Sequence, residues 1–257
     1  MRRYSFLLLC CLFFAACTDG TEPASHDDVA IETPTALIEA MRERYRDDWY
    51  HTLTFVQETV RYRQDGSVDT ATWYEAYAAP GKLRIDFAPL EDGNGMLFAG
   101  DSQYVFRDGE MINRQATVHP LLLLGFDVYH LPAEETVRKL DTLGFDLTKM
   151  HETMWQNRPT YVVGAEEGEE KAPQFWIDKE HLYFTRMLRP AGPDSSISEV
   201  QFNNYERQPA GWIAPEVVFH FDQNRVMLET YNEIRTGVDL DTTLFDPARW
   251  RTTHWHQ

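Results

Sequence analysis

Cysteine is scarce in this sequence and is confined to its first 17 residues. The three cysteines stand at positions 10, 11 and 17. If the chain is cut before Cys17, one cysteine remains and no disulfide can form within a molecule. The fold must then rest on its hydrophobic core, and residues 17–257 are enough for one domain, especially an all-β one.

Basic residues are too few to balance the acidic ones. The chain has 24 Lys and Arg against 41 Asp and Glu, and its formal net charge is −17. Such a chain repels the phosphates of nucleic acid and the headgroups of anionic lipids. We therefore expect no nucleic-acid partner. Membrane association must come from attached lipid rather than from a basic patch.

Motifs for catalysis and metal binding are also missing. Ser195 and Ser196 stand in a polar turn without a Gly-x-Ser-x-Gly pattern, and neither His-Glu-x-x-His nor a glycine-rich phosphate loop occurs. His254 and His256, or the acidic segment 166–170, could attract a metal ion, but a solvated surface is the simpler interpretation. We predict a protein that is not an enzyme and has no cofactor and no metal.

The only long apolar run lies at the N-terminus. Arg2 and Arg3 precede apolar residues up to Phe14, and small residues follow. This order is typical of a signal peptide, and the run is shorter than the about 20 residues that cross a bilayer as a helix. We predict a signal peptide over 1–16 and a flexible, polar tether over 17–33.

The rest of the chain has mostly the period-two alternation of β-strands. Thr33 and Pro34 predict the start of a helix that runs to about residue 46. From residue 51 onward, alternating segments separated by turns such as Asp65-Gly66 predict about eleven antiparallel strands, which must curl or close. A second helix is predicted from Pro132 to about Leu143.

A short leucine-rich segment interrupts this alternation. Leu121, Leu122, Leu123 and Leu124 are consecutive, and Phe126 continues the apolar run. Four adjacent leucines do not fit a half-exposed helix. They form either a lid over a cavity (or a loop that dips into the membrane) or a buried helical turn of the core.

Ala15-Ala16-Cys17 resembles a bacterial lipobox, and this resemblance implies cleavage before Cys17 and acylation of its side chain. Thr18 at the next position resembles an outer-membrane address in a Gram-negative cell. The alternative is an ordinary secretory signal in which Cys17 occurs by chance.

The β-rich region resembles the bacterial lipoprotein-sorting family of the periplasmic carrier LolA and the outer-membrane receptor LolB. The similarity covers about residues 35–248 and is carried by the order and spacing of weak motifs. These are Phe55–Val60 with its Phe-x-Gln, the hairpin at Asp65-Gly66, Ala79–Phe87, Leu97–Phe106, and Val238–Pro247, which is similar to the family's closing Phe-x-Pro strand.

The resemblance implies a mainly β (α+β) fold over residues 34–250, followed by a tail over 251–257. A single curled antiparallel sheet would form an incomplete β-barrel, with the N-terminal helix and the mid-chain helical insert covering its concave side. An apolar cavity for acyl chains would lie between them. Carriers of the family have Arg where this chain has Ala79, and that Arg helps to govern their opening and closing.

Strand aromatics are the candidate lining of this cavity, although each alone could be ordinary core. They are Phe55, Trp73, Tyr77, Phe87, Phe98, Tyr104, Phe106, Trp176, Phe184, Phe202 and Phe221. Leu121–Leu124 and Phe126 are the candidate lid.

Two functional hypotheses follow. The first is an outer-membrane lipoprotein, facing the periplasm and anchored through acylated Cys17, that binds a lipid, an acylated protein or another long apolar ligand. The second is a non-catalytic envelope scaffold whose cavity is filled by its own side chains and which docks a periplasmic protein. An open apolar cavity favours the first hypothesis.

Overall fold

The computed structural model of the protein describes residues 31–192 and 196–256. The predictions for the signal peptide, Cys17, most of the tether and Ser195 lie outside these residues. One large antiparallel sheet dominates the described part, with 13 strands in the order β6-β5-β4-β3-β2-β1-β15-β14-β11-β10-β9-β8-β7. Its edges, β6 and β7, are not paired with each other. The predicted fold class, a mainly β protein with a curled, incomplete barrel, is confirmed.

The strand bounds agree closely with the predicted alternation, although more strands form than expected. The strands are β1 (Thr52–Tyr62), β2 (Val68–Ala78), β3 (Lys82–Phe87), β4 (Gly95–Ala99), β5 (Ser102–Arg107), β6 (Glu110–Ala116), β7 (Met150–Trp155), β8 (Arg158–Val163), β9 (Gln174–Asp178), β10 (Phe184–Ala191), β11 (Ser196–Asn203), β12 (Glu206–Arg207), β13 (Trp212–Ile213), β14 (Glu216–Phe221) and β15 (Asn224–Thr236). The short strands β12 and β13 pair separately from the large sheet.

Three α-helices accompany the sheet: α1 (Pro34–Arg44), α2 (Pro120–Gly125) and α3 (Ala133–Thr142). The Thr33 hydroxyl accepts a hydrogen bond from the Ala36 N–H (3.2 Å) and caps α1 as predicted. Leu37, Ile38 and Met41 bury one side of this helix in the main core. Within the described residues, no helix is long and apolar enough to cross a membrane.

The main core lies between the helices and the inward-facing residues of the sheet. Odd-numbered residues of β1 and β2 face inward, because side chains alternate along a strand. The register pairs Leu53 with Tyr77 and Phe55 with Glu75. Trp49 stacks on Tyr129 at 3.6 Å between ring centroids, joining the end of α1 to the helical insert.

The C-terminal segment covers the opposite face of the sheet, where it builds a second, smaller core. The segment similar to a closing strand does not form one. Thr242–Phe245 and Pro247–Arg249 are instead short 3₁₀ turns. The Asp241 carboxylate accepts a hydrogen bond from the Thr243 N–H, and the Asp246 carboxylate accepts one from the Ala248 N–H, both at 2.9 Å. These local bonds cap turns and compete with strand pairing.

Candidate ligand cavity

An apolar cavity of about 250 Å³ lies between the inward face of the sheet and helix α2. Its floor comes from β1–β5, its far wall from β11, β14 and β15, and its roof from α2 and the residues beside it. It is lined by Phe55, Gln57, Trp73, Glu75, Tyr77, Leu83, Ile85, Met96, Phe98, Gln103, His119, Leu121, Leu122, Phe126, Phe202, Val217, Phe219, Met227, Glu229 and Tyr231.

The structure brings part of the predicted aromatic set into this lining. Phe55, Trp73, Tyr77, Phe98 and Phe202 all border the cavity. Phe87 packs against Trp73 at 4.8 Å, and Phe184 packs edge-on against Phe202 at 5.0 Å, so both contact lining residues without bordering the cavity themselves.

The remaining predicted aromatics lie elsewhere, because an aromatic residue type does not by itself specify the face of the strand. Tyr104 and Phe106 point to the opposite side of β5, where Phe106 stacks on Trp250 at 4.1 Å. Trp176 lies beside Trp155 and Arg186, away from the neighbouring core residues of β9. Phe221 ends β14 and is 43% exposed.

The leucine run forms helix α2, which borders the cavity and also contributes to the main core. Leu121, Leu122 and Phe126 border the cavity. Leu122, Leu123 and Leu124 are buried in the main core. The short helix is therefore the roof of the cavity and part of the core, and its action as a lid stays a prediction.

The roof is fastened to the sheet by Asp127, a buried residue two positions after the end of α2. Its carboxylate accepts hydrogen bonds from the Tyr77 hydroxyl (2.9 Å) and from the Gly81 N–H (2.8 Å). Burial raises the pKa of Asp127 to about 6.

His119 lies directly before helix α2, in the roof of the cavity. The His119 Nδ1 accepts a hydrogen bond from the Leu122 N–H (3.2 Å) and caps α2. Burial lowers the pKa of His119 to about 4. The ring is therefore neutral at physiological pH and adds no charge to the cavity.

Sequence reasoning missed the polar residues of the cavity floor. Gln57, Glu75 and Glu229 are all buried, and the two carboxyl groups are 5% and 8% exposed. Burial raises the pKa of Glu75 well above its ordinary value, and the nearby charge of Glu229 adds to this rise. Burial likewise raises the pKa of Glu229 to about 8. The alternation Phe55-x-Gln57 and Trp73-x-Glu75 placed two of them on the inward face and could have identified them.

The residues considered as metal ligands lie apart from this cavity. Glu169 pairs with Lys149 at 2.9 Å on the surface, and the His256 ring lies against Tyr74 at 4.3 Å. Across residues 31–192 and 196–256, no group of three or more His, Cys, Asp or Glu side chains is arranged to hold a metal ion.

The described residues form an open half-barrel with an apolar cavity beneath short helices. No protein-family model and no curated protein matches the sequence. Solved structures with the same fold include a domain from Vibrio parahaemolyticus described as outer membrane lipoprotein-sorting, which is 14% identical and covers 83% of this chain and 96% of its own (TM-score 0.56).

Two further solved structures have the same fold. A DUF1329-family protein from Desulfovibrio piger is 15% identical, covering 84% of this chain and 97% of its own (TM-score 0.58). A LolA-superfamily protein from Nitrosomonas europaea is 11% identical, covering 81% of this chain and 96% of its own (TM-score 0.50). The chain therefore has the LolA-like fold that its sequence motifs predicted.

Proposed function

We propose that the protein is a non-catalytic lipoprotein of the bacterial envelope that binds one long apolar chain in the cavity beneath α2. The observation that carries the proposal is the cavity itself, an unfilled space of about 250 Å³ with mostly apolar walls. A scaffold with a self-filled interior would leave no such space.

The size of the cavity limits the ligand. Ligand pockets usually measure about 300–1,000 Å³, so a volume of about 250 Å³ suits a single alkyl or acyl chain. It is too small for several chains at once without movement of the roof. The ligand is a lipid, an acylated protein or another amphiphile, and each methylene that it buries contributes about 0.8 kcal/mol.

The N-terminal motif and the fold support the proposed location. Acylated Cys17 would hold the domain at the outer membrane, facing the periplasm, while the solved relatives of this fold include a lipoprotein-sorting domain. A tethered protein does not diffuse across the periplasm, so it acts as a stationary acceptor or sensor and not as a shuttle.

A cavity-blocking variant tests the proposal. Residues 18–257 contain every described element of the fold and are assayed with a neutral fluorescent probe, N-phenyl-1-naphthylamine. Leu121→Glu places a charge in the half-buried roof and should reduce probe uptake at least about tenfold, because burying an unpaired charge is costly. Met111→Glu, on edge strand β6 where Met111 is 53% exposed, is the matched control. Equal uptake by both variants and the wild type would show that the probe does not enter this cavity.

A further inference from the structure

Two glutamates and a glutamine form a polar cluster in the otherwise apolar floor of the cavity. On β1, Gln57 pairs with Trp73 of β2 on one side and with Tyr231 of β15 on the other. Glu75 lies diagonally across on β2, opposite Phe55. Glu229 lies diagonally across on β15, opposite Thr59. The sheet therefore presents both carboxyl groups to the same part of the cavity, with Gln57 between them.

The cluster lacks a compensating charge. Within residues 31–192 and 196–256, Glu75 makes no hydrogen bond and no ion pair, although it is only 5% exposed. No Lys or Arg stands among the lining residues. The nearest basic side chain on the same face, Arg61, is half exposed and pairs with Asp69 at 3.6 Å. Gln57 donates to the Thr59 hydroxyl at 2.8 Å.

Burying two carboxyl groups without a basic residue in the same cavity costs stability and contributes nothing to packing. A fold that needed only an apolar cavity would have apolar residues at these positions. Carboxyl groups that are buried in this way and face a cavity are instead typical of a binding site. The group that compensates them best is a cation that carries hydrogen-bond donors, because its N–H groups can donate to carboxylate oxygens.

We propose that the cavity binds a single-chain amphiphile with a cationic amine headgroup, the ammonium lying between Glu75 and Glu229 and the chain along the apolar wall. This inference rests on the proposed ligand-binding function. The ring of Tyr231, which stacks on Phe55 at 4.1 Å, adds an aromatic face beside the ammonium, and such faces attract cations.

Proton balance gives the binding a defined pH dependence. Glu229 holds its proton near pH 7, since its pKa is raised to about 8, and burial raises the pKa of Glu75 in the same direction. A bound ammonium therefore displaces a proton from Glu229 to solvent, and its affinity should increase from pH 6.5 to 8. The other titratable groups that face the pair are Tyr77, Tyr231, His119 and Arg61. The two tyrosines and His119 keep their charge states in this range, because burial raises the pKa of each tyrosine and lowers that of His119. Asp127, beyond Tyr77, has a pKa of about 6 and is largely ionised above pH 6.5.

The test compares headgroups on one chain length. Dodecylamine, dodecanol and dodecanoate, each below its micellar concentration, displace N-phenyl-1-naphthylamine from residues 18–257. Dodecylamine should bind at least about tenfold more tightly than dodecanoate, with dodecanol between them. The double variant Glu75→Gln/Glu229→Gln should lose this preference for the amine, so that dodecylamine and dodecanol bind within about twofold of each other. Glu58→Gln, an exposed position on the other face of β1, is the control and should behave as the wild type.

The outcomes separate the two proposals. Equal affinity for the three headgroups, or tightest binding of dodecanoate, would overturn the amine inference and leave the apolar cavity standing. The amine inference is also overturned if the double variant, folded by circular dichroism, keeps the amine preference. Failure of every probe to bind would overturn both proposals.

Discussion

Arg84 is the largest fully buried side chain of the protein's described part. Its guanidinium forms two hydrogen bonds to the Asp86 carboxylate, at 2.7 and 2.8 Å, and donates to the Trp250 carbonyl at 2.9 Å. It also lies over the Trp250 ring at 4.1 Å. A single side chain thus fastens the C-terminal segment to the outer face of β3.

Removing one member of the Arg84–Asp86 ion pair should destabilise the protein far more than replacing both members. Arg84→Met leaves Asp86 buried without a partner and should lower the free energy of unfolding by about 3–5 kcal/mol. The double variant Arg84→Met/Asp86→Leu removes both charges and should recover most of this loss. Urea unfolding followed by tryptophan fluorescence measures both. If the double variant is no more stable than the single one, the cost does not come from the orphaned carboxylate.

Glu229 should make the stability depend on pH above neutrality. Its pKa is 4.5 in the unfolded chain and about 8 in the folded protein. Between these values the folded state holds a proton that the unfolded state has released, so stability falls as pH rises and levels off above pH 8. His119 and His130, whose pKa values burial lowers to about 4, act in the opposite direction but only below about pH 6.5.

The melting temperature should therefore decrease by a few degrees from pH 6.5 to 8, as about 1 kcal/mol of stability is lost per pH unit. Glu229→Gln should reduce this slope and raise the melting temperature at pH 8, while Glu75, whose pKa burial also raises, retains part of the slope. Glu58→Gln should keep the wild-type slope. Parallel curves for wild type and Glu229→Gln would mean that Glu229 is ionised in the folded protein.

At the scale of elements, helix α2 is the part of the cavity whose opening can be tested. Its six residues, Pro120–Gly125, contribute roof and core together, and the hydrogen bonds to Asp127 keep it against the sheet. A hydrogen bond to a charged group is worth about 1.5–3 kcal/mol. Loss of one such bond should increase opening of the roof without unfolding the sheet.

Tyr77→Phe removes the hydroxyl that donates to Asp127 and leaves the ring in place. Amide hydrogen exchange in residues 120–131 should become about tenfold faster, since about 1.4 kcal/mol corresponds to a factor of ten. Tyr104→Phe, on the opposite face, should leave exchange there unchanged. Unaltered exchange in Tyr77→Phe would show that Asp127 does not limit the opening of α2.

The elements themselves were largely predictable, because alternation and capping are local signals. The Asp65-Gly66 hairpin formed as expected, with the Asp65 carboxylate accepting a hydrogen bond from the Ser67 N–H at 2.9 Å. Local signals could not predict which residues on the outer face of the sheet the C-terminal segment buries. Arg84 and Asp86 alternate with apolar residues as a solvent-facing row would, yet the C-terminal segment buries them. The prediction that Phe106 lines the cavity is wrong for the same reason, because Phe106 also lies on the outer face, in the second core.

The presence of a cavity was predictable from the sequence, but the acidic residues of its floor were not. A curled sheet with few helices has more inner surface than the helices fill, so a cavity followed from the fold class. Its acidic floor required knowledge of which strands are neighbours. Glu75 and Glu229 are far apart in sequence. They face the same cavity because β2 and β15 both pair with β1.

At the scale of the molecule, the proposed lipid anchor at Cys17 would decide where the cavity works. Cys17→Ala should move the protein from the membrane fraction to the soluble periplasmic fraction, with its probe binding intact, because no acyl chain can then be attached. Cell fractionation followed by immunoblotting measures this. A variant that stays with the membrane after a salt wash would show that another segment anchors the chain.

The open edges of the sheet also affect the tendency of the protein to self-associate. Strand β6 is an edge strand whose residues are all exposed, with Met111 and Ile112 among them, and such an edge can pair with the edge of another copy. The net charge of −17 keeps copies apart, but salt screens this repulsion beyond about 10 Å at 0.1 M. If the proposed anchor holds many copies on one membrane surface, electrostatic repulsion would give them the protection that a closed barrel obtains from hydrogen bonding its last strand to its first.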